Sequence, residues 1–474
     1  MAVTTGVGAF RRGAGRPVIW VVVLALVAIA AAALATATFA PGFMSNDTLY
    51  QLRQAQGTDP LSDWHPPIMS LGWRLLIDLT GSVSTMALLQ QLLVWGALFV
   101  VAAVVYDVTA SRRWSLAFLA IGLAPHVLSL SGVVWKDVQM AQAMLAATAI
   151  AMVGQAWRGG RAWLRWLLVL LAVVLLGYAL LVRKNAVVAI LPMLYLLYRS
   201  WFPPRRPLAL AAIVAAFVIG VGLTQVVISA TAHPLKTDQL SSIAIDDVIH
   251  VVPRDALEQA DLPAPLRTKL LAAQQLCNKK NSLMNGYWTC YGTGADGPFT
   301  PIAYHHELVA AWPRLMMERP AGYLQYRSEV FSQFLFHNRD YWQEGVLANS
   351  MGIAVERPRM VATLRSYVVD GALRNLPWLF GAWFWLLVSV VQSLRVRAVS
   401  RSWFGVLVPC LGTSSLLYIL AYFPTAPATD YRYVYWPALA GTLGLVVMAL
   451  DRWGPAMGRR GHAGSTARVS AARG

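Results

Sequence analysis

Two short stretches of the sequence offer groups able to take up a proton. Asp47 lies in "SNDTLYQ", and Asp63 and His65 lie in "SDWHPP". Three others carry cations: "WKD" with Lys136 and Asp137, "VRKN" with Arg183, Lys184 and Asn185, and "TDYRYVYW" with Asp430, Tyr431 and Arg432. A carboxylate beside several fixed cations suits a reaction in which an acceptor hydroxyl loses its proton while a phosphate departs. Asp47 is the expected base. Lys136, Arg183, Lys184 and Arg432 are the expected phosphate contacts, the arginines offering a fork matched to phosphate oxygens. Cations aimed at a leaving phosphate lower the barrier because negative charge grows there in the transition state. Asp63, His65, Asp137, Asn185, Asp430 and Tyr431 are expected in supporting positions.

The elements that must bring these residues together are membrane helices. Of 474 residues, 57% are hydrophobic and only 13% charged, which excludes a soluble protein of this length. Apolar runs able to cross about 30 Å of hydrocarbon lie at about 17-40, 84-106, 114-131, 134-157, 162-182, 185-199, 207-230, 377-395, 403-424 and 434-451. The expected fold is therefore an all-α polytopic membrane protein of about ten transmembrane helices. The first run follows Arg11, Arg12 and Arg16 and is too long for a typical signal peptide, so a retained anchor is expected. The shorter apolar segment 66-80, broken by Arg74 and Asp78, reads as an interfacial helix in a first outer loop spanning 41-80.

With both termini cytoplasmic, nineteen arginines fall on the inner side against Asp107 and Asp451 alone. The remaining bases and acids balance on the outer side, so the net charge of +17 belongs to the inner loops. This positive-inside bias argues against nucleic acid as a partner. All five chemistry-bearing stretches then fall at the outer ends of helices. Taken singly, an Asp there caps a helix, Lys and Arg snorkel to headgroups, and Tyr and Trp form the aromatic belt. Arg183 and Lys184 strain that account, because two cations in a nearly loopless outer turn are not needed to set topology. A donor that is half lipid and half phosphate, a polyprenyl-phosphate sugar, fits such a site.

Residues 1-230 read as a membrane region of seven spans, 231-376 as an extracytoplasmic domain, 377-451 as three further spans and 452-474 as a basic disordered tail. The outer segment carries fourteen basic and fourteen acidic residues. Helical spacing over 253-276 and 304-335 predicts a mostly helical cap. Cys277 and Cys290 lie in it, and an oxidising compartment favours a disulfide between them. "YHHE" places His305, His306 and Glu307 in a row, but adjacent helical histidines diverge by about a hundred degrees and make no metal pair by themselves.

These residues resemble the GT-C superfamily of integral-membrane glycosyltransferases, and "SNDTLYQ" followed by "SDWHPPIMSLGWRLL" is especially similar to a bacterial branch with D-x-x-x-Q and D-W-H-P. The resemblance implies a hexosyl- or pentosyltransferase of the bacterial plasma membrane, working by inverting single displacement on a glycan, lipid or protein acceptor of the cell envelope. It assigns Asp47 as the catalytic carboxylate and Arg183, Lys184 and Arg432 as donor-phosphate contacts. Many members carry two neighbouring acids in the first loop, whereas here Asn46 precedes a single Asp47. Binding of a divalent cation (Mg or Mn) by Asp47, Asp63 or Asp137 is thus left open. A transporter or flippase of a lipid-linked phosphosugar would share the span count, but it calls for ionisable residues at mid-membrane and paired broken helices, which the sequence lacks. A scaffold role would leave Asp47 dispensable.

Overall fold

The computed structural model describes residues 18–156, 161–292, 297–395 and 404–455; the expectations for Arg11, Arg12, Arg16 and most of the basic tail lie outside the described residues. The described chain is helical, with only isolated β-bridges. The first half comprises α1 (Val18–Phe39), α2 (Asn46–Gln56), α3 (Pro67–Thr80), α4 (Thr85–Thr109), α5 (Arg112–Leu119), α6 (Pro125–Ser131), α7 (Lys136–Ala156), α8 (Ala162–Val182), α9 (Val187–Trp201) and α10 (Pro207–Ala232). The second comprises α11 (Leu240–Val251), α12 (Arg254–Glu258), α13 (Ala264–Lys280), α14 (His305–Met317), α15 (Pro320–Phe336), α16 (Pro358–Arg365), α17 (Ala382–Ser393), α18 (Leu407–Leu420) and α19 (Tyr435–Trp453).

Six helical segments among the described residues are long and apolar enough to cross a membrane: α1, α4, α7, α8, α10 and Tyr431–Trp453. A seventh would be the bent pair formed by Arg112–Leu123 and α6, which turns by 50°. Proline at the first position of α6 explains the bend, since it removes an amide donor and disfavours helix in the residue before it. Helices α9, α17 and α18 occupy the other three expected spans but are shorter, at 15, 12 and 14 residues.

Burial orders the bundle. α7 is 83% buried along its apolar window and α10 only 17%, so α7 is the central post and α10 a peripheral helix. The first two turns of α7 nevertheless carry Gln139 and Gln142. Their function is visible at the end of α6, where the chain leaves helical geometry at Gly132 and frees its carbonyls. Gln90 donates to the Val133 carbonyl at 3.0 Å, Gln91 and Gln142 donate to that of Ser131, and Gln139 donates to Gln90. Irregular backbone buried among helices requires such partners. Gly132 is obligatory here, since a Cβ would lie 1.9 Å from the Phe39 ring.

Two cores share the chain. The larger runs through the bundle and includes Tyr326, Val330 and Phe334 of α15. The smaller gathers α11, α13, α14 and the Tyr287–Tyr291 turn around Tyr50 and Trp64 from the first loop. Most of 231-376 thus builds a core of its own, which takes in Tyr50 and Trp64 of the first loop, while α15 packs onto the larger bundle. Where the two cores meet, Arg327 of α15 pairs with Asp247 of α11 at 2.7 Å, both side chains fully buried, and Trp312 donates to the same carboxylate at 2.8 Å. The two long helices expected over 253-276 and 304-335 each divide, at Pro263 and Pro320, because proline starts a helix far more readily than it continues one. Cys277 and Cys290 are joined by a disulfide.

Candidate active site

The site begins where α1 ends. Gly42 adopts φ +113°, and a Cβ there would lie 2.7 Å from Val134, so glycine lets the chain run flat against residues 133–135. Phe43 bridges to Val133, Thr48 donates to the Val134 carbonyl at 2.9 Å, and Trp135 donates to the Ser45 hydroxyl at 2.8 Å. These bonds fix the first turn of α2 beside the first residue of α7, and so place Asp47 next to Lys136.

Arg432 reaches Asp47 from the opposite end of the chain. Its Nη1 lies 2.8 Å from Asp47 Oδ2 and its Nε lies 2.9 Å from Asp430 Oδ2, while the guanidinium lies over Trp135 and Tyr433. The Arg339–Asp430 bridge ties this turn to the chain leaving α15: Arg339 donates to the Thr429 carbonyl and Tyr431 to that of Arg339. Arg183, in extended geometry at the end of α8, pairs with the wholly buried Asp137 at 2.9 Å and donates to the Tyr422 hydroxyl at 2.9 Å. His65 is buried against Tyr50 and Phe299; its Nδ1 lies 3.5 Å from Lys136 Nζ and its Nε2 3.9 Å from Asp47 Oδ1.

These groups line one cavity of about 360 Å³ together with Asn185, Asp246, Asp340, Tyr433 and others, a size ordinary for a small-molecule site. A cleft of about 690 Å³ adjoins it, sharing Asn285, Asp340, Ala428 and Asp430, and is lined largely by polar residues such as Gln333, His337 and Arg339. The electrostatics separate the carboxylates. Burial pushes Asp47 towards its neutral form, but Arg432 and the cations beyond it outweigh that and hold the carboxyl well below the usual range. Burial, reinforced by Lys136, lowers His65 to about 3, so it is neutral at ordinary pH. Burial raises Asp430 to about 6 despite Arg432, and raises Asp246 to about 7 although the Asn285 and Gly286 amides donate to it.

Of the sequence-expected residues, Asp47, His65, Lys136, Arg183, Asn185, Asp430 and Arg432 meet in the cavity, and Asp137 supports Arg183 from behind. Lys184 does not join them: it is exposed, because the short 3-10 turn Lys184–Ala186 turns it away from its neighbours. Tyr431 sits in the core, donating to the His126 carbonyl. Asp63 faces the linker after α10, accepting from the Thr237 amide at 2.7 Å and hydroxyl at 2.5 Å. Asp47, Asp63 and Asp137 thus each hold a different partner, do not converge, and do not fit a shared divalent ion. Among the described residues, one group of three metal-type ligands has its donor atoms within 4.8 Å of one another: Asp238, His305 and His306.

Sequence reasoning missed the outer wall of the cavity, formed by Gln239, Ser242, Ile243 and Asp246 of α11 and its start, with Asn285, Tyr287 and Trp288. The one available signal was "IDDVIH", two neighbouring acids set among isoleucine and valine.

No family model matches the chain, and no curated protein matches its sequence. Among solved structures, the apo crystal structure of the Archaeoglobus fulgidus oligosaccharyltransferase aligns over 91% of this chain and 51% of its own, with 13% identity and a TM-score of 0.41. The same enzyme in complex with Zn and sulfate aligns over 90% and 49%, with 12% identity and a TM-score of 0.35. The chain spans about half the length of that enzyme. Overlays this loose transfer no residue and no role.

Proposed function

We propose that this protein is an integral-membrane glycosyltransferase of the GT-C type, moving a sugar from a polyprenyl-phosphate donor to a cell-envelope acceptor on the extracytoplasmic side of the bacterial plasma membrane. The reading is carried by one observation: a carboxylate and three guanidinium or ammonium groups, drawn from four separated stretches, line a single cavity at the helix ends. In this reading all ten apolar runs cross the membrane. The short α17 is completed by the Pro377–Phe380 turn before it, since 12 residues at 1.5 Å each reach only about 18 Å. α3 then lies at the outer interface.

The donor phosphate occupies the space between Lys136, Arg183 and Arg432, with its lipid among the helices and its sugar outward. An acceptor hydroxyl arrives through the adjoining polar cleft and attacks the anomeric carbon. The bond from that carbon to the phosphate oxygen breaks, the electron pair leaves with the phosphate, and the hydroxyl proton passes to Asp47, with inversion. Asp47 bound to Arg432 is a weak base. A phosphate that takes up Arg432 and Lys136 loosens that hold and raises the basicity of Asp47 only once donor is in place. His65, neutral and held by Tyr50 and Phe299, borders Asp47 at 3.9 Å.

The test is transfer of radiolabelled sugar from a panel of polyprenyl-phosphate donors to cell-envelope extract, in membranes holding equal amounts of wild type or Asp47→Asn. The isosteric change removes the base while Asn Oδ1 can still accept from Arg432. A fall of about 10²–10⁴-fold is expected. Equal transfer by both removes Asp47 from the chemistry, and no transfer by wild type with any donor overturns the proposal.

A further inference from the structure

We infer that Asp238, His305 and His306 form a binding site for a divalent metal ion of the zinc class, which fastens the start of α14 to the start of α11. His305 Nδ1 lies 2.7 Å from Asp238 Oδ2 and His306 Nδ1 lies 2.8 Å from the same oxygen, with the two rings 4.0 Å apart. Two imidazoles and one carboxylate are a common ligand set for zinc, with a water completing the tetrahedron. Metal bonds of about 2.0–2.2 Å in that geometry separate the donor atoms by about 3.3 Å, so the observed cluster need open by only about half an ångström.

Consecutive helical residues point apart, and that would ordinarily keep His305 and His306 from sharing a ligand. Two backbone features remove the obstacle. Tyr304, just before the helix, adopts φ +61°, which leaves His305 as the first helical residue, and Asp238 adopts φ +46°, with one carboxylate oxygen within reach of both Nδ1 atoms. Non-glycine residues rarely take such angles, and two of them at a cluster of three ligands mark a constrained site. The bland alternative, two histidines donating to one acid, uses the same contacts but needs a proton on both Nδ1 atoms; a metal needs neither. The His306 side chain is 74% exposed, which leaves the ion an open approach and room for the water ligand.

The site sits where it can govern the cavity. Asp238 is followed by Gln239, and Gln239, Ser242, Ile243 and Asp246 form the outer wall. Asp238 is preceded by Thr237, which Asp63 holds, and Leu235 is bridged to Ser62, two residues before Trp64 and three before His65. An ion here bolts α14 to a strap already fastened to the first loop, fixing the outer wall against the loop that carries Asp47. Binding of the ion does not depend on the transferase reading.

The experiment uses the full chain in detergent, purified through a tag without histidine, stripped with chelator and dialysed against ZnCl₂ alone, with bound metal measured by elemental analysis. One equivalent is expected in wild type, and Co²⁺ in its place should give the visible absorption of a four-coordinate ion. His306→Ala, at an exposed position that leaves the core intact, and Asp238→Asn should each weaken binding by more than about tenfold, since even loss of a group supporting a ligand costs that much. Absence of saturable binding, or one equivalent bound equally by wild type and both variants, overturns the site.

Discussion

Arg432→Gln should distinguish a catalytic cation from a structural one. Arg432 contacts Asp47 at 2.8 Å and Asp430 at 2.9 Å, so its loss acts in two places. If its guanidinium stabilises the departing phosphate, the transition state loses one charged donor, a change of about 10²–10³-fold in kcat, or about 2.7–4 kcal/mol. The second effect concerns proton uptake. Arg432 is the foremost group opposing the effect of burial on Asp47, so its removal lets the carboxyl rise towards and above its ordinary 3.8. The base must be ionised to work, and activity is lost as pH falls through its pKa. The acidic limb of the rate profile should therefore move to higher pH in Arg432→Gln, while Arg432→Lys, which keeps the charge but not the fork, should show a smaller shift and an intermediate rate. The assay is sugar transfer over a range of pH at saturating and limiting donor, with size-exclusion profiles confirming equal folding. An increase in KM with unchanged kcat and an unmoved acidic limb would refute the reasoning.

Asp47→Asn, by contrast, should cost about 10²–10⁴-fold in transfer with donor affinity nearly unchanged, as read by donor binding alongside turnover. Arg183→Leu leaves the fully buried Asp137 without its partner and should destabilise the protein by about 3–5 kcal/mol, whereas Arg183→Leu with Asp137→Leu should recover most of that in detergent melting curves and remain inactive. An unaltered melt in the single variant would show that the pair is unimportant to the fold. Asp246 predicts a pH dependence. Burial lifts its pKa from 3.8 to about 7, so the folded chain keeps a proton that the unfolded chain has already released. Its contribution to stability is complete below about pH 4 and is lost as pH rises through about 7. Asp246→Asn should flatten the fall in melting temperature from about pH 5 to pH 8; parallel curves would count against it.

The site divides by how its residues reach the cavity. Asp47, Lys136, Arg183 and Arg432 were legible because each is a charge at the end of an apolar run, a placement rarely made without reason. Lys184 lies outside the cavity because a single 3-10 turn sends neighbouring side chains in different directions, which spacing in a hairpin does not reveal. Asp246 was missed because an acid within an amphipathic helix looks solvated until Gly286, whose missing Cβ leaves room for the carboxylate at its amide, is found packed on it. The domain boundary was blurred for a related reason. Charge balance marks 231-376 as outer, but only packing shows that α15 belongs with the bundle core and that Trp64 and Tyr50 belong with the outer one. The His305–His306 pair was set aside on helical geometry, and only the left-handed turns at Tyr304 and Asp238 bring its partner within reach.

The Asp63–Thr237 link carries a lesson for recombining such proteins. Because the linker after α10 is stitched to the first loop, and Tyr50 and Trp64 fill the core of the outer segment, a graft bounded at the obvious joints near 231 and 376 would sever both attachments. The structural module is discontinuous: residues 45–66 and 233–317 must travel together if this wall of the cavity is to stay intact.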